Sequence, residues 1–513
     1  MSDLVPFGRW ELGVVGLYLV SLLVIGWIAL RARREDSMRD FYLAGGRMGV
    51  VVLLLTLYAT QYSGNTLFGF TGKTYRIGFV WAMSVHFMAA IVVCYLLFAP
   101  QLFRRARRGG FITPTDYLDD RFGHRGLNLL ATVVMIAAIA NFLLAQLTAM
   151  GRALEGLTRL PSNQAFIYGV LILAAIILVY ETLGGMRAVA WTDAIQGSIL
   201  LIGFATLLVI VFRTFGSLEV ATRALLDPET GAPEKVRPPS AAQCRQWMSY
   251  VVLVGIGGAL YPQAIQRIYA AGSEAVLRRS LSVMVFLPFT TALVALVVGI
   301  IGAAHIHDLK SADADRVLAI ICRHVQEQST LGHWLVVILF AAILAAIMST
   351  ADSVLLSISS MLSKDIYRPL CRPGASEAEL TSVGKISSVV LLLLLAGLAI
   401  FLNSLENKPT LIKLLDKKFD MLVQLAPAFM IGIHWKGLKA TPVFVGLIAG
   451  LAVALGLPKL PLSWVDGSGK IADIHAGLFG LAVNTLIAVG GSVGGGERGA
   501  GSGERATRLE FRN

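Results

Sequence analysis

A chain of 513 residues that is 56% hydrophobic and only 15% charged, with positive mean hydropathy, is too apolar for a set of soluble domains and reads as an all-α polytopic membrane protein. Its net charge of +12 would suggest nucleic acid in a soluble protein. Here the arginines and lysines cluster in short stretches between apolar runs, where they report topology, and nucleic acid is excluded as a partner. Four cysteines, Cys94, Cys244, Cys322 and Cys371, show no metal-ligand spacing.

In chain order, apolar runs of about twenty residues give thirteen expected spans near 11–30, 49–71, 77–100, 127–151, 163–182, 187–212, 246–268, 280–304, 331–361, 380–402, 417–435, 440–457 and 474–492. No basic leader with a small-residue cleavage site precedes Glu11, so the first run is expected to stay in the mature chain. Arg31, Arg33, Arg34, Arg39 and Arg47 fill the first connection, and the third is likewise arginine-rich from Arg104 to Arg125. Both are expected on the cytoplasmic side. Alternation then puts the loops holding Arg187, Arg267, Lys364 and Lys436 inside, the N-terminus outside and the C-terminus in the cytoplasm. Cys244 and Cys322 fall in long loops on the same outer side, where a disulfide and two unpaired thiols are both admissible.

Ten spans lie between the first and the last two, and the outer loop splits them five and five. An odd number of crossings makes the second set enter from the opposite side, so two sets of one fold would be related by inversion. The expected organisation is an N-terminal extra span with its cytoplasmic loop (1–48), a first five-span repeat (49–213), an extracellular loop (214–245), a second repeat (246–435), two C-terminal spans (436–492) and a disordered tail (493–513). The first span of each set carries an interruption. One is the polar run Ala59-Thr60-Gln61-Tyr62-Ser63-Gly64-Asn65-Thr66; the other is Gly255-Ile256-Gly257-Gly258 followed by Tyr261-Pro262-Gln263. Unwound backbone at membrane depth is tolerated where it is buried or lines a cavity, and its free carbonyls are hard oxygen ligands for a small cation.

The run from Ala341 to Ser360 is long enough to cross, yet its centre reads Ser349-Thr350-Ala351-Asp352-Ser353. On a helix Ser349, Asp352 and Ser353 share one face, and alanines and serines extend that stripe, as in a helix packed closely on others. A lone hydroxyl there commonly bonds back to the preceding turn. A carboxylate costs roughly 2.5–3.5 kcal/mol at the bilayer centre, which marks the cluster as a functional site. The segment Lys413 to Asp420, KLLDKKFD, is charged for the approach to a span and is expected to be an outer loop or the interfacial end of the span, with the span starting near Phe419.

Asp40-Phe41-Tyr42-Leu43-Ala44-Gly45-Gly46-Arg47, Gly184-Gly185-Met186-Arg187-Ala188 with Trp191-Thr192-Asp193, and Ala346-Ile347-Met348-Ser349-Thr350 together resemble the sodium:solute symporter family over nearly the whole chain. The resemblance implies a LeuT-type five-plus-five inverted-repeat core and sodium as coupling ion. It implies a main sodium site from Ala59, Tyr62, Ala346, Ser349 and Thr350, and a second ion site from Asp193, Ser349, Asp352 and Ser353. Asp352 stands where the family has a hydroxyl, which opens proton coupling beside sodium. By analogy the solute would meet Gln61, Ser63, Asn65, Gln146, Tyr261, Gln263 and Gln424, each of which could equally be helix-to-helix glue.

The expected function is sodium-coupled symport of a small organic solute by alternating access in a bacterial inner membrane. Gln61 in place of an aspartate argues against simple proline specificity. Gln424-Leu425-Ala426-Pro427 and the stretch from Ile474 to Asn484 lean towards monocarboxylate- or pantothenate-type members, with amino-acid or sugar transport as alternatives. A membrane sensor would carry an output domain, and the chain stops about twenty residues after its last expected span. A channel would need a continuous pore. An enzyme is not expected, because no nucleophile motif, metal spacing or phosphate-cradling loop is present. Nothing in the sequence speaks to oligomeric state.

Overall fold

The computed structural model describes residues 5–155, 160–229, 231–307, 309, 314, 316–405, 411–460 and 470–493. The expected tail from Gly494 onward lies outside these. The fold is a bundle of long helices whose outward surface is apolar, as a bilayer requires, while polar side chains such as Thr56, Asp193, Gln263 and Ser349 are buried at its centre.

Among the described residues nine helical runs are long and apolar enough to cross a membrane, or ten if one bent pair is counted as a single span; thirteen were expected. The difference has local causes. Two expected spans, 163–182 and 187–212, form one run from Ser162 to Phe215, bent at Gly185. That residue has φ 55° and lies so close to Phe41 that a Cβ would sit 2.4 Å from the Phe41 carbonyl oxygen, so only glycine fits the turn. Beside it Arg187 pairs with Asp40 at 2.7 Å, so two of the motifs carrying the family resemblance meet in space. A second run, Thr66–Gly109, continues through the short 3₁₀ turn Gly78–Ala82.

The expected span at 417–435 is not a continuous α-helix. It comprises the helix Leu411–Leu422, a 3₁₀ turn Val423–Leu425, a π-helical turn Pro427–Ile431 and Gly432–His434. Pro427 supplies no backbone N–H, which favours such a departure. Its start corrects the sequence reading: Lys417 and Lys418 belong to a helix that begins before Phe419, and Lys418 is buried.

The two long connections expected on the outer side are also partly helical, at Leu218–Leu225 and Val317–Gln328. The last expected span begins with a two-residue strand, Ile474–His475, paired antiparallel with Lys470–Ile471, before the helix Ala476–Val493. That helix packs on Ala440–Gly456 through glycine: a Cβ on Gly480 would lie 2.4 Å from the Gly450 carbonyl oxygen, the close approach small residues permit. Cys244 is exposed, Cys322 is buried, and all four cysteines are unbridged.

Candidate functional site

Both expected helix interruptions are present. The helix Val50–Gln61 ends at Tyr62, whose backbone is extended (φ −107°, ψ 107°), and the chain resumes as Gly64–Ile77. Ala241–Ala259 and Pro262–Ala270 meet at 50°, with Tyr261 non-helical and Pro262 in the first helical position, where its missing N–H costs nothing. One side chain joins the two breaks. Tyr95 accepts a hydrogen bond from Gln61 Nε2 and donates to the Gly258 carbonyl at 3.1 Å.

The polar centre of the helix Thr330–Met361 faces the first break. Ser349 Oγ lies 3.2 Å from the Ala59 carbonyl oxygen across the interface and 3.3 Å from that of Ala346 on its own helix. Thr350 Oγ1 also reaches the Ala346 carbonyl, at 3.0 Å. Four of the five residues expected at the main ion site thus form one network, and Tyr62, the fifth, is the residue where the facing helix unwinds. All are buried. Their donors are neutral carbonyl and hydroxyl oxygens, a set suited to a dehydrated alkali cation. No cluster of three or more His, Cys, Asp or Glu exists among the described residues, so thiolate or imidazole metal chemistry has no candidate here.

One turn away lies a charged cluster. Asp193 Oδ2 pairs with Arg267 Nη2 at 2.8 Å, neither side chain having any exposure, and accepts a hydrogen bond from Thr56. Arg267 also donates to Thr56 at 2.7 Å, to the Gln263 carbonyl at 2.9 Å and to Ser353 Oγ. Ser353 donates to the Ser349 carbonyl at 2.6 Å and contacts Asp352 Oδ1 at 3.1 Å, while Asp352 Oδ2 accepts from Tyr180. Asp193, Ser349, Asp352 and Ser353 therefore do come together, and Arg267 sits among them. This corrects the placing of Arg267 in a cytoplasmic loop. The half-helix Pro262–Ala270 has nine residues, about 14 Å at 1.5 Å per residue, too short to carry Arg267 from the break to the membrane surface.

From the first break a cavity of about 80 Å³ runs towards the Gly78–Ala82 turn, lined by Gln61, Ser63, Tyr261 and Lys418 among mainly aromatic and aliphatic side chains. Lys418 is only 2% exposed, and its Nζ lies 3.2 Å from the Phe142 ring centroid. Gln146 and Gln263 are buried, and neither end of either carboxamide has a hydrogen-bond partner in the structure. Gln424 is placed apart from them: its Nε2 donates to the Gly477 carbonyl at 2.8 Å and its backbone carbonyl accepts from Asn484 Nδ2 at 2.6 Å, tying it to the last helix. The side chain of Asn65 lies outside the described residues. Arg267, Lys418, Thr56, Tyr95 and Tyr180 were not singled out from sequence as site residues; the signals that could have found the two cations are their spacings, taken up below.

The model of the sodium:solute symporter family matches residues 41–450. Similar proteins include an osmoregulated proline transporter of Bacillus subtilis (strain 168), 26% identical and covering 90% of this chain and 93% of that one. A sodium/pantothenate symporter of Escherichia coli (strain K12) is 28% identical over 87% and 90%. A sodium/glucose cotransporter of Vibrio parahaemolyticus is 25% identical over 88% and 86%. Among solved structures, a Na⁺-coupled sialic acid symporter in a substrate-bound outward-open state aligns with a TM-score of 0.77 at 18% identity, covering 95% of this chain and 98% of that one. Mhp1, a nucleobase-cation-symport-1 family transporter, aligns with a TM-score of 0.51 at 15% identity, over 88% and 93%. The fold is thus that of the LeuT-type transporters.

Proposed function

We propose that this chain, which belongs to the sodium:solute symporter family, binds its coupling sodium among the Ala59, Tyr62 and Ala346 carbonyls and the Ser349 and Thr350 hydroxyls. Sodium-coupled transport of a small solute is the family's work, and the protein is a multi-pass membrane transporter, not an enzyme. The observation that carries the assignment is the position of Ser349 Oγ between two carbonyl oxygens, that of Ala59 on the broken helix and that of Ala346 on its own helix. An ion seated there bridges the polar helix and the broken one, so it favours the arrangement in which they are close. A solute in the adjoining cavity, reached by Gln61 and Ser63 at the same break, favours that arrangement too. Binding of each tightens binding of the other by the same factor.

The carboxamides of Gln146 and Gln263, outside the lining of that cavity, are buried without partners, and because buried amides seldom stay unsatisfied in a native protein they support polar groups of the solute reaching them. The solute is a small organic molecule of the monocarboxylate or pantothenate kind. Beside it Asp193, Ser349, Asp352 and Ser353 hold a second cation. Arg267 offsets one of the two carboxylates and leaves one negative charge for that cation, sodium or a proton. The chain works in a bacterial inner membrane with its N-terminus outside and its C-terminus in the cytoplasm, as its arginine-rich connections favour.

Purified protein titrated with sodium chloride against choline chloride tests the main site without knowledge of the solute. Sodium raises the thermal midpoint of the wild type, and Ser349→Ala shifts the half-effective sodium concentration upward by about tenfold, the scale of one ligand lost. An unchanged sodium titration in Ser349→Ala overturns the assignment.

A further inference from the structure

We infer that the arginine-lined cavity beside Gly46, at the junction of the segment before Val50 with the segment after Ala270, binds a phosphate group. This site is separate from the ion and solute positions above and stands whether or not those readings hold. Only its placing on the cytoplasmic face rests on the orientation proposed there.

The cavity measures about 470 Å³ and is lined by five arginines, Arg34, Arg39, Arg47, Arg107 and Arg187, against two carboxylates, Glu35 and Asp40. Asp40 is already engaged, holding Arg187 at 2.7 Å. Among the described residues Arg34, Arg39 and Arg47 have no ion pair. Arg107 donates only to main-chain carbonyls, those of Gly46, Ala271 and Gly272, at 2.7, 3.1 and 2.7 Å. The side chains also converge. A Cβ on Gly46 would lie 3.4 Å from Arg107 Nη1 and 3.5 Å from Arg39 Nη2, and the next atom is the Tyr269 carbonyl oxygen at 3.6 Å, not a carboxylate. Arginines at a membrane border ordinarily point into water and report topology. Guanidinium groups gathered round one glycine repel one another instead, and an anion among them removes that cost.

The fork of a guanidinium matches the paired oxygens of a phosphate, and several arginines round one tetrahedral anion give each oxygen a donor. Val52, Ala190 and Trp191 line the same cavity, so a phosphate carrying an apolar tail fits it, with the tail against these side chains. Basic pockets between membrane helices seat phospholipid headgroups in this way. Free phosphate presents the same group, and the experiment separates the two sources. The location gives binding a consequence for the fold. Met48 N donates to the Ala270 carbonyl at 3.1 Å and Gly272 N to the Met48 carbonyl at 2.9 Å, stitching the segment that leads into one interrupted helix to the segment that leaves the other. Arg107 spans the same junction through Gly46, Ala271 and Gly272. A phosphate held by Arg107 and Arg39 braces it, and binding shows as thermal stabilisation.

The test is the thermal midpoint of the purified full chain in detergent, at fixed sodium concentration and ionic strength. Dihexanoyl phosphatidylglycerol is titrated against dihexanoylglycerol, which has the same tails and no phosphate, and inorganic phosphate against chloride. At least one phosphate-bearing probe raises the midpoint where its counterpart does not. A response to the phospholipid alone assigns a lipid headgroup, and a response to inorganic phosphate shows that the free anion suffices. Arg39→Gln combined with Arg47→Gln raises the half-effective concentration about tenfold, the scale of one charge-assisted hydrogen bond. Arg108→Gln, which removes an exposed arginine outside the lining, leaves it unchanged. The inference is overturned if neither phosphate probe outperforms its counterpart, if the double variant responds as the wild type does, or if Arg108→Gln weakens the response equally. Should the double variant not fold, Arg39→Gln and Arg47→Gln singly carry the comparison. Loss of sodium stabilisation with the phosphate response intact counts against the sodium site and leaves this one standing.

Discussion

At the scale of single residues, the centre of the molecule sets neutral oxygens beside a charged network. Ser349 and Thr350 share the Ala346 carbonyl, but only Ser349 also reaches Ala59 on the facing helix. Thr350→Ala should therefore weaken sodium binding while leaving the contact between the two helices in place, and Ser349→Ala should weaken both. Sodium titration of stability together with cross-linking between positions on the two helices separates them. The Asp193–Arg267 pair has no exposure, so removing one partner strands a charge. Arg267→Met should destabilise by about 3–5 kcal/mol, and adding Asp193→Asn should recover part of the loss; equal losses in the single and double variants would remove the pairing as the cause.

The polar centre of the helix Thr330–Met361 was legible as a candidate site because Ser349, Thr350, Asp352 and Ser353 interrupt an apolar run and two of them belong to a family motif. Arg267 and Lys418 were not, since a cation near the end of an apolar run is ordinarily counted as topology. Their spacing held the correction. Arg267 follows Pro262 by little more than one helical turn, and Lys418 stands i,i+4 and i,i+7 from Leu422 and Leu425, on an apolar stripe.

At the scale of elements, the sequence showed where helices must break better than where they must continue. Glycine and proline marked both interruptions at their correct places, since each removes a side chain or a donor that a helix uses. Gly184-Gly185 ends one apolar run and so reads as a loop, whereas in the structure the chain is helical on both sides of Gly185 and the bend packs on Phe41 and the Asp40–Arg187 pair, contacts with a segment distant in sequence. Gly185→Ala should be among the most damaging small substitutions, combining a left-handed backbone, about 1–2 kcal/mol, with the Cβ forced against the Phe41 carbonyl. Gly216→Ala also has positive φ (87°), but a Cβ there meets nothing closer than 3.8 Å, so it should show the backbone cost alone. The thermal midpoints of the two variants isolate the steric part, and equal midpoints would mean that the Phe41 chain gives way.

At the scale of the whole molecule, the five-plus-five arrangement followed from counting spans, and its LeuT-type fold is shared with the aligned symporters. The count of continuous membrane-length helices did not follow, because kinks merge some expected spans and 3₁₀ and π turns divide another. Coupling sets the scale of transport. With one monovalent cation, symport of the anionic solute proposed above moves no net charge, so the membrane potential adds nothing to accumulation; each net positive charge moved inward through 100 mV supplies about 2.3 kcal/mol, about fifty-fold. If the cluster around Asp352 admits a second cation, one net charge moves per cycle and the fifty-fold factor applies, so the presence of solute-driven current in proteoliposomes and its reversal potential count the ions directly. Asp352→Ser, which restores the hydroxyl expected from the family resemblance, should change that reversal potential if Asp352 holds an ion and leave it unaltered otherwise.

Tyr95 clasps both interrupted helices at once, accepting a hydrogen bond from Gln61 Nε2 and donating one to the Gly258 carbonyl. Because one phenol is bonded to both, separating the two interrupted helices breaks at least one of these hydrogen bonds. Tyr95→Phe should uncouple them, and spin-label distances across each interruption would then change independently where in the wild type they change together.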